Sequence, residues 1–137
     1  MEVNTKNITT KVELLNMIKE GINPLEYIKD ERDIDFVCNS IVIEGNDEDP
    51  FFEEAAENLL RAILYYLIFT DNEEKTLRRC KEIAEIGMNE IDGREKVCNI
   101  LENEERAKSL YVSINIASEK TCKAIFEKLN ERLSKIC

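Results

Sequence analysis

Histidine is absent from all 137 residues. That removes His-dependent triads, imidazole acid–base chemistry and most zinc sites. A ferritin-like di-iron site, which needs Glu-x-x-His pairs, goes with them. Glycine and proline are scarce, at four and two residues. With Glu, Lys, Leu, Ile and Asn dominant, the scarcity favours helices over a turn-rich sheet protein. Basic excess is missing as well, since 19 Lys and Arg face 29 Asp and Glu for a net charge of −10. A self-sufficient DNA-binding domain ordinarily carries the opposite sign, because affinity for duplex comes largely from neutralising phosphates. The balance favours a protein partner, especially a basic one, through complementary steering. Solubility alone is the plainer explanation of the same charge.

Long hydrophobic runs are also lacking. The longest apolar stretch, Ala62 to Phe69, is far short of the ~20 residues of a membrane span, so the chain is expected to be soluble and cytoplasmic. No G-x-x-x-x-G-K-[ST], G-x-G-x-x-G or H-E-x-x-H motif occurs, which leaves no phosphate cradle, dinucleotide fingerprint or zincin site. No carboxylate stands alone in an apolar stretch, where burial would raise its pKa for acid–base work. Glu53, Glu54 and Glu57 share a helix start, where a structural role suffices. No enzymatic activity, cofactor or metal is therefore expected of this chain. The five cysteines, Cys38, Cys80, Cys98, Cys122 and Cys137, are odd in number and form no C-x-x-C. Most fall on predicted apolar helix faces, as reduced, buried thiols do.

What is present describes one helical domain. Apolar residues make up 43% of the chain and charged residues 35%, enough for a core under a solvated surface. The stretch Thr9 to Ile18 is open between strand and short helix, and Gly21-Ile22-Asn23-Pro24 breaks the chain after it. Leu25 to Glu44 reads as a short helix and a longer one, with Ile34, Val37, Cys38 and Ile41 at helical spacing. The acidic turn Glu44 to Asp49 lacks the ligand spacing and closing Glu of a calcium loop. Asp49-Pro50 starts a helix, Asp49 as cap and Pro50 as first helical residue, and this helix runs to Phe69. Its second half is apolar all round, the mark of a central helix. Phe51, Phe52, Tyr65, Tyr66 and Phe69 sit at helical spacing in this apolar part, so core packing is expected ahead of base stacking.

Thr70-Asp71-Asn72-Glu73 has the form of a capping box between helices. Leu77, Cys80, Ile83 and Ala84 give the next helix an inner stripe, Gly87 is a candidate C-terminal stop, and Lys75, Arg78, Arg79 and Lys81 form a basic outer face. A further region begins near Asp92, with Val97, Ile100, Leu101, Leu110, Tyr111 and Ile114 apolar. Ser118 caps a last helix, in which Cys122, Ile125, Phe126, Leu129, Leu133 and Ile136 recur at i, i+3, i+4, i+7. The expected fold is an all-α compact helical bundle around one central hydrophobic helix.

Several stretches resemble one family. Ile22-Asn23-Pro24-Leu25-Glu26-Tyr27-Ile28 is similar to the Asn-Pro-(Leu/Phe)-x-Tyr-(Ile/Val) segment of type IV coupling proteins from Gram-positive conjugative elements. Asp49-Pro50-Phe51-Phe52-Glu53-Glu54-Ala55-Ala56-Glu57-Asn58-Leu59-Leu60 and the greasy continuation Ala62 to Leu67 resemble its helix entry. Ala117-Ser118-Glu119-Lys120-Thr121-Cys122-Lys123-Ala124-Ile125 and Arg132-Leu133 resemble its closing pattern. The likeness spans roughly residues 12–136, and 85–105 match only in helical character.

The resemblance implies a TraG-type conjugation ATPase, hexameric and anchored at the cytoplasmic face of the membrane, of which this chain is the inserted all-α domain. It implies that residues 1–21 are a lead-in left from the motor, with 12–18 a piece of its sheet, and that 22–137 are the all-α domain. No nucleotide-site residue carries over. The implied function is docking of a relaxase or relaxosome accessory protein for DNA transfer, with the motor domain as a further partner and the isolated domain monomeric. Two alternatives stay open. One is direct DNA contact through Lys75, Arg78, Arg79 and Lys81, with DNA otherwise a weak partner. The other is an unrelated helical interaction regulator.

Overall fold

Thr10 and Glu13 decide the segment that the sequence leaves open. The Thr10 hydroxyl accepts from the Glu13 amide and the Glu13 carboxylate accepts from the Thr10 amide, a reciprocal capping box. The computed structural model, which describes residues 10–45 and 50–137, therefore begins with a helix, α1 (Lys11–Lys19). Residues 12–18 form no strand, and the implied piece of motor sheet is corrected to a helix whose Leu14 lies in the core.

Pro24–Tyr27 is a 3-10 turn capped by Asn23, whose side chain accepts from the Leu25 amide. Asp30 caps α2 (Glu31–Val42) by accepting from the amides of Arg32 and Asp33. Next comes α3 (Pro50–Phe69), begun by Pro50 as expected; the cap residue Asp49 and most of the acidic turn lie outside the described residues. Six successive residues of α3, Ala62 to Leu67, are buried. Only a helix covered on all sides can bury such a run, and α3 packs against α2, α4 (Leu77–Asn89), α5 (Gly93–Leu101), α6 (Glu105–Asn115) and α7 (Glu119–Ser134). The described residues thus form an all-α bundle of seven helices around α3, without strands. None of these helices is long and apolar enough to cross a membrane.

Two local readings of the sequence are overturned. Thr70 and Glu73 make no capping box. Asn72 takes a left-handed conformation (φ 68°), the chain loops on, and Thr76 caps α4 by accepting from the Arg79 amide. The Glu73 carboxylate is taken by Tyr66 and Arg79 instead. Gly87 does not stop α4, which continues to Asn89. It lies under the Phe126 ring, so close that a Cβ there would fall 2.2 Å from a ring carbon. Ser118 caps α7 as expected, accepting from the Thr121 amide. The region after Asp92 is two helices, parted between Leu101 and Glu105.

Among the cysteines, Cys38, Cys80 and Cys122 are buried, Cys98 half-buried and Cys137 exposed, all as free thiols. Burial pushes the Cys38 and Cys80 thiols up, which leaves them inert.

Candidate functional site

The four cations singled out by sequence lie at the α3–α4 loop and the first turns of α4, and each is already engaged. Lys75 donates through Nζ to the carbonyls of Thr70 at 2.8 Å and Glu73 at 3.4 Å. Arg78 pairs with Glu74 at 2.6 Å one turn earlier. Arg79 turns inward to Glu73 at 3.0 Å and reaches Glu82 at 3.4 Å. Lys81 stands 3.8 Å from Glu85. Burial pushes the Glu73 carboxyl up, but hydrogen bonds from Arg79 and Tyr66 outweigh it and hold the group below its ordinary value. The structure brings the four residues to one region, yet it splits them. Arg78 stands out in solvent, whereas Arg79 is a half-buried tether between the loop and α4. Three of the four cations are matched by adjacent carboxylates and Lys75 is held by backbone carbonyls, which weakens the field the face offers to phosphates.

The aromatic residues divide in the same way. Tyr65 and Tyr66 are buried, with their hydroxyls donating to Glu31 and Glu73. Phe51 and Phe69, expected in the core, are exposed. The Arg106 guanidinium covers the Phe69 ring at 4.0 Å from its centroid and reaches Tyr65 at 5.0 Å. This cation–π arrangement occupies the surface that a base would need.

A second locus went unnoticed in the sequence, the junction between α6 and α7. On one side lies an open cleft of about 690 Å³ between the α4–α5 turn and the start of α7. Gly93 allows the close turn, since a Cβ there would fall 2.2 Å from the Ile86 carbonyl oxygen. Asp92 precedes it in the left-handed region (φ 56°) and makes no side-chain cap to α5. The cleft carries the carboxylates of Glu90, Asp92, Glu95 and Glu119 and the cations Arg94 and Lys123. Arg94 is held by the fold, donating to the Ala117 carbonyl at 2.8 Å, and Glu90 pairs with Lys96 at 2.8 Å.

On the other side of the junction, a mainly apolar depression of about 210 Å³ is walled by Phe51, Ala55, Ile114, Ala117 and Ile125, with Glu54, Asn58 and Ser113 also lining it. Ile116, in the same segment, is 80% exposed. The one available sequence signal was the run Ser109 to Ser118, ten residues without a charge in a chain 35% charged.

The buried pair Glu53–Arg132 also escaped the sequence reading. Its side chains are 4% and 2% exposed and meet at 2.9 Å. It fastens α3 to α7 and, through Arg132 Nε on the Val42 carbonyl at 2.9 Å, to the end of α2. Among the described residues no group of three or more His, Cys, Asp or Glu side chains is placed to hold a metal ion.

Compared with known proteins, the chain matches no family model, no curated protein and no solved structure.

Proposed function

We propose that the chain is the substrate-docking all-α domain of a conjugative type IV coupling protein, receiving a relaxase or relaxosome accessory protein on behalf of a motor domain. It carries out no catalysis itself and works at the cytoplasmic face of the membrane that anchors the motor. The residues behind the resemblance support this by their structural placement. Pro24 and Leu25 are buried, and Asn23 donates to the Lys75 carbonyl at 2.8 Å, tying the 3-10 turn to the α3–α4 loop. Pro50 opens α3, while Arg132 and Leu133 are buried in α7. The quoted motifs thus fall at joints of the bundle.

The observation that carries protein docking ahead of direct DNA contact is the pairing of the α4 cations. Arg78, Arg79 and Lys81 are paired with carboxylates and Lys75 with backbone carbonyls, so this cluster does little to offset the general repulsion of phosphate by a net charge of −10. The experiment is direct binding of purified relaxase and accessory proteins of the same conjugative element, beside duplex DNA, at physiological salt. Docking predicts a salt-sensitive protein complex and weak DNA binding. Failure of every relaxosome protein to bind would remove the reading.

A further inference from the structure

The two depressions at the α6–α7 junction share a wall. Ile114 and Ala117 line the apolar one, while Asn115 and Glu119 line the acidic one. Neighbouring residues of one short segment therefore line depressions of different chemistry, and Ile116 of the same segment is exposed. We propose that this junction is a docking surface for a basic amphipathic segment of a partner protein. One apolar side chain of that segment enters the depression beside Phe51 and Ala117, and its Lys or Arg side chains enter the cleft beside Asp92 and Glu119. The inference rests on the docking reading above and gives it a place.

Charge complementarity selects the occupant. The cleft is lined by four carboxylates and two cations. Glu90 is already paired with Lys96 and the Arg94 cation is directed to a backbone carbonyl, which leaves Asp92, Glu95 and Glu119 against Lys123. Asp92 makes no cap, and neither Asp92 nor Glu119 has an ion-pair partner among the described residues. A second copy of the chain would bring another −10 to an acidic cleft, and a nucleic acid would bring phosphates to it; both are repelled. The apolar depression is smaller than a typical small-molecule pocket but suits a single anchor side chain of the kind that dominates interfaces. Around it the outer side of α6 presents Val112 and Ile116 with Ser109 and Ser113, an uncharged strip on an otherwise charged protein. Contiguous apolar surface rimmed by polar groups marks interaction sites on soluble proteins, and helix-in-groove recognition reads anchors at i, i+3 or i+4 spacing.

The test uses the full chain and a synthetic helical Leu/Lys peptide with leucines at i, i+3, i+4 and i+7. A peptide of the same composition in scrambled order serves as control. Amide chemical shifts are followed by NMR during titration. The proposal predicts perturbations clustered on residues 113–119 and 90–95, with the scrambled peptide weaker. It also predicts that Ile116→Ser, and separately Asp92→Asn with Glu119→Gln, which remove the charges while Asn still tolerates the left-handed backbone at position 92, weaken binding about tenfold or more. All three side chains are exposed, so the thermal melts should stay unchanged and separate lost binding from lost folding. Shifts scattered over other acidic surfaces, equal binding of the scrambled peptide, or unchanged affinity in both variants would overturn the proposal. Relaxosome proteins that bind both variants as well as wild type would refute this surface and leave the docking reading standing. Peptide binding at the junction, with no relaxosome protein bound, would do the reverse.

Discussion

Arg132 of α7 donates through Nη2 to Oε2 of Glu53 of α3 at 2.9 Å, and the two residues lie 79 positions apart in the chain. Both carboxylate and guanidinium are withdrawn from water, and each has further partners. The Glu44 amide donates to the Glu53 carboxylate at 2.8 Å, and Arg132 donates to the Val42 carbonyl and to Glu131. The pair closes the α2, α3 and α7 ends of the bundle into one polar joint. A buried pair with its remaining hydrogen bonds satisfied is tolerated, whereas half of one is not.

Removing one partner should therefore be severe. Arg132→Met leaves the Glu53 charge buried and should cost roughly 3–5 kcal/mol in urea denaturation. Combining it with Glu53→Gln should cost less than the two single losses added together, because the second change removes the stranded charge. Strict additivity in that cycle would show that the two groups do not act as a pair.

Stability should fall in acid. Burial pushes the Glu53 carboxyl up, but the Glu44 amide and the Arg132 guanidinium outweigh it and hold the group below its ordinary 4.5. Glu73 is depressed by Arg79 and Tyr66 against the effect of its burial, and Glu44 chiefly by Lys135. A carboxyl depressed in the folded state contributes stability that is fully present above its unfolded pKa and lost as pH falls through the folded one. Denaturation midpoints should hold above pH 4.5 with respect to these groups and decline below it, and Glu53→Gln should flatten part of that decline. At the alkaline end, burial and then the Glu73 carboxylate push Tyr66 up to about 12 from 10.0. Its contribution should be complete below pH 10 and lost as pH rises toward 12, in step with tyrosinate absorbance.

Gly87→Ala should destabilise, although alanine is the better helix former by about 1 kcal/mol. The new methyl would press into the Phe126 ring, which is fully buried and packed edge-on to Tyr111. Overpacking of this kind costs about 1–3 kcal/mol. A raised melting temperature would show that the ring has room to move.

Periodicity made most of the helices readable. Pro50 marked the start of α3, the run Ala62 to Leu67 its central place, and Ser118 the start of α7, because each signal is local and finds no competitor. Thr70 and Glu73 matched a box pattern that folding did not use. The Tyr66 hydroxyl and the Arg79 guanidinium, both reached through tertiary packing, hold the Glu73 carboxylate instead. Gly87 carried the residue type of a helix stop, but a glycine beneath a distant ring has the same letter. The Glu53–Arg132 joint and the α6–α7 junction join segments far apart in sequence, and no spacing rule announces such meetings. The charges of Lys75, Arg78, Arg79 and Lys81 were legible as a basic cluster. The pairing of Arg78, Arg79 and Lys81 with Glu73, Glu74, Glu82 and Glu85, and the tie of Lys75 to two backbone carbonyls, follow from where the loop and helix place those groups.

Leu64 is fully buried in the central helix. Leu64→Ala should cost roughly 2–5 kcal/mol through lost transfer energy and the cavity left behind. Pro50→Ala, at the exposed first position of α3, should change stability far less. A denaturation curve for Leu64→Ala that overlays the wild type would contradict the central placement of α3.

Protein docking and DNA contact make opposite demands on the α4 cations, and one titration separates them. Labelled duplex DNA and purified relaxase are each titrated by fluorescence anisotropy at physiological salt, with wild type and with Arg78→Glu combined with Lys81→Glu. Arg79 is left in place because its tether to Glu73 belongs to the fold. The docking account predicts a relaxase complex that the double reversal leaves largely intact, and DNA binding too weak to saturate with either protein. A tight DNA complex of the wild type that the reversal abolishes, beside no relaxase binding, would contradict it.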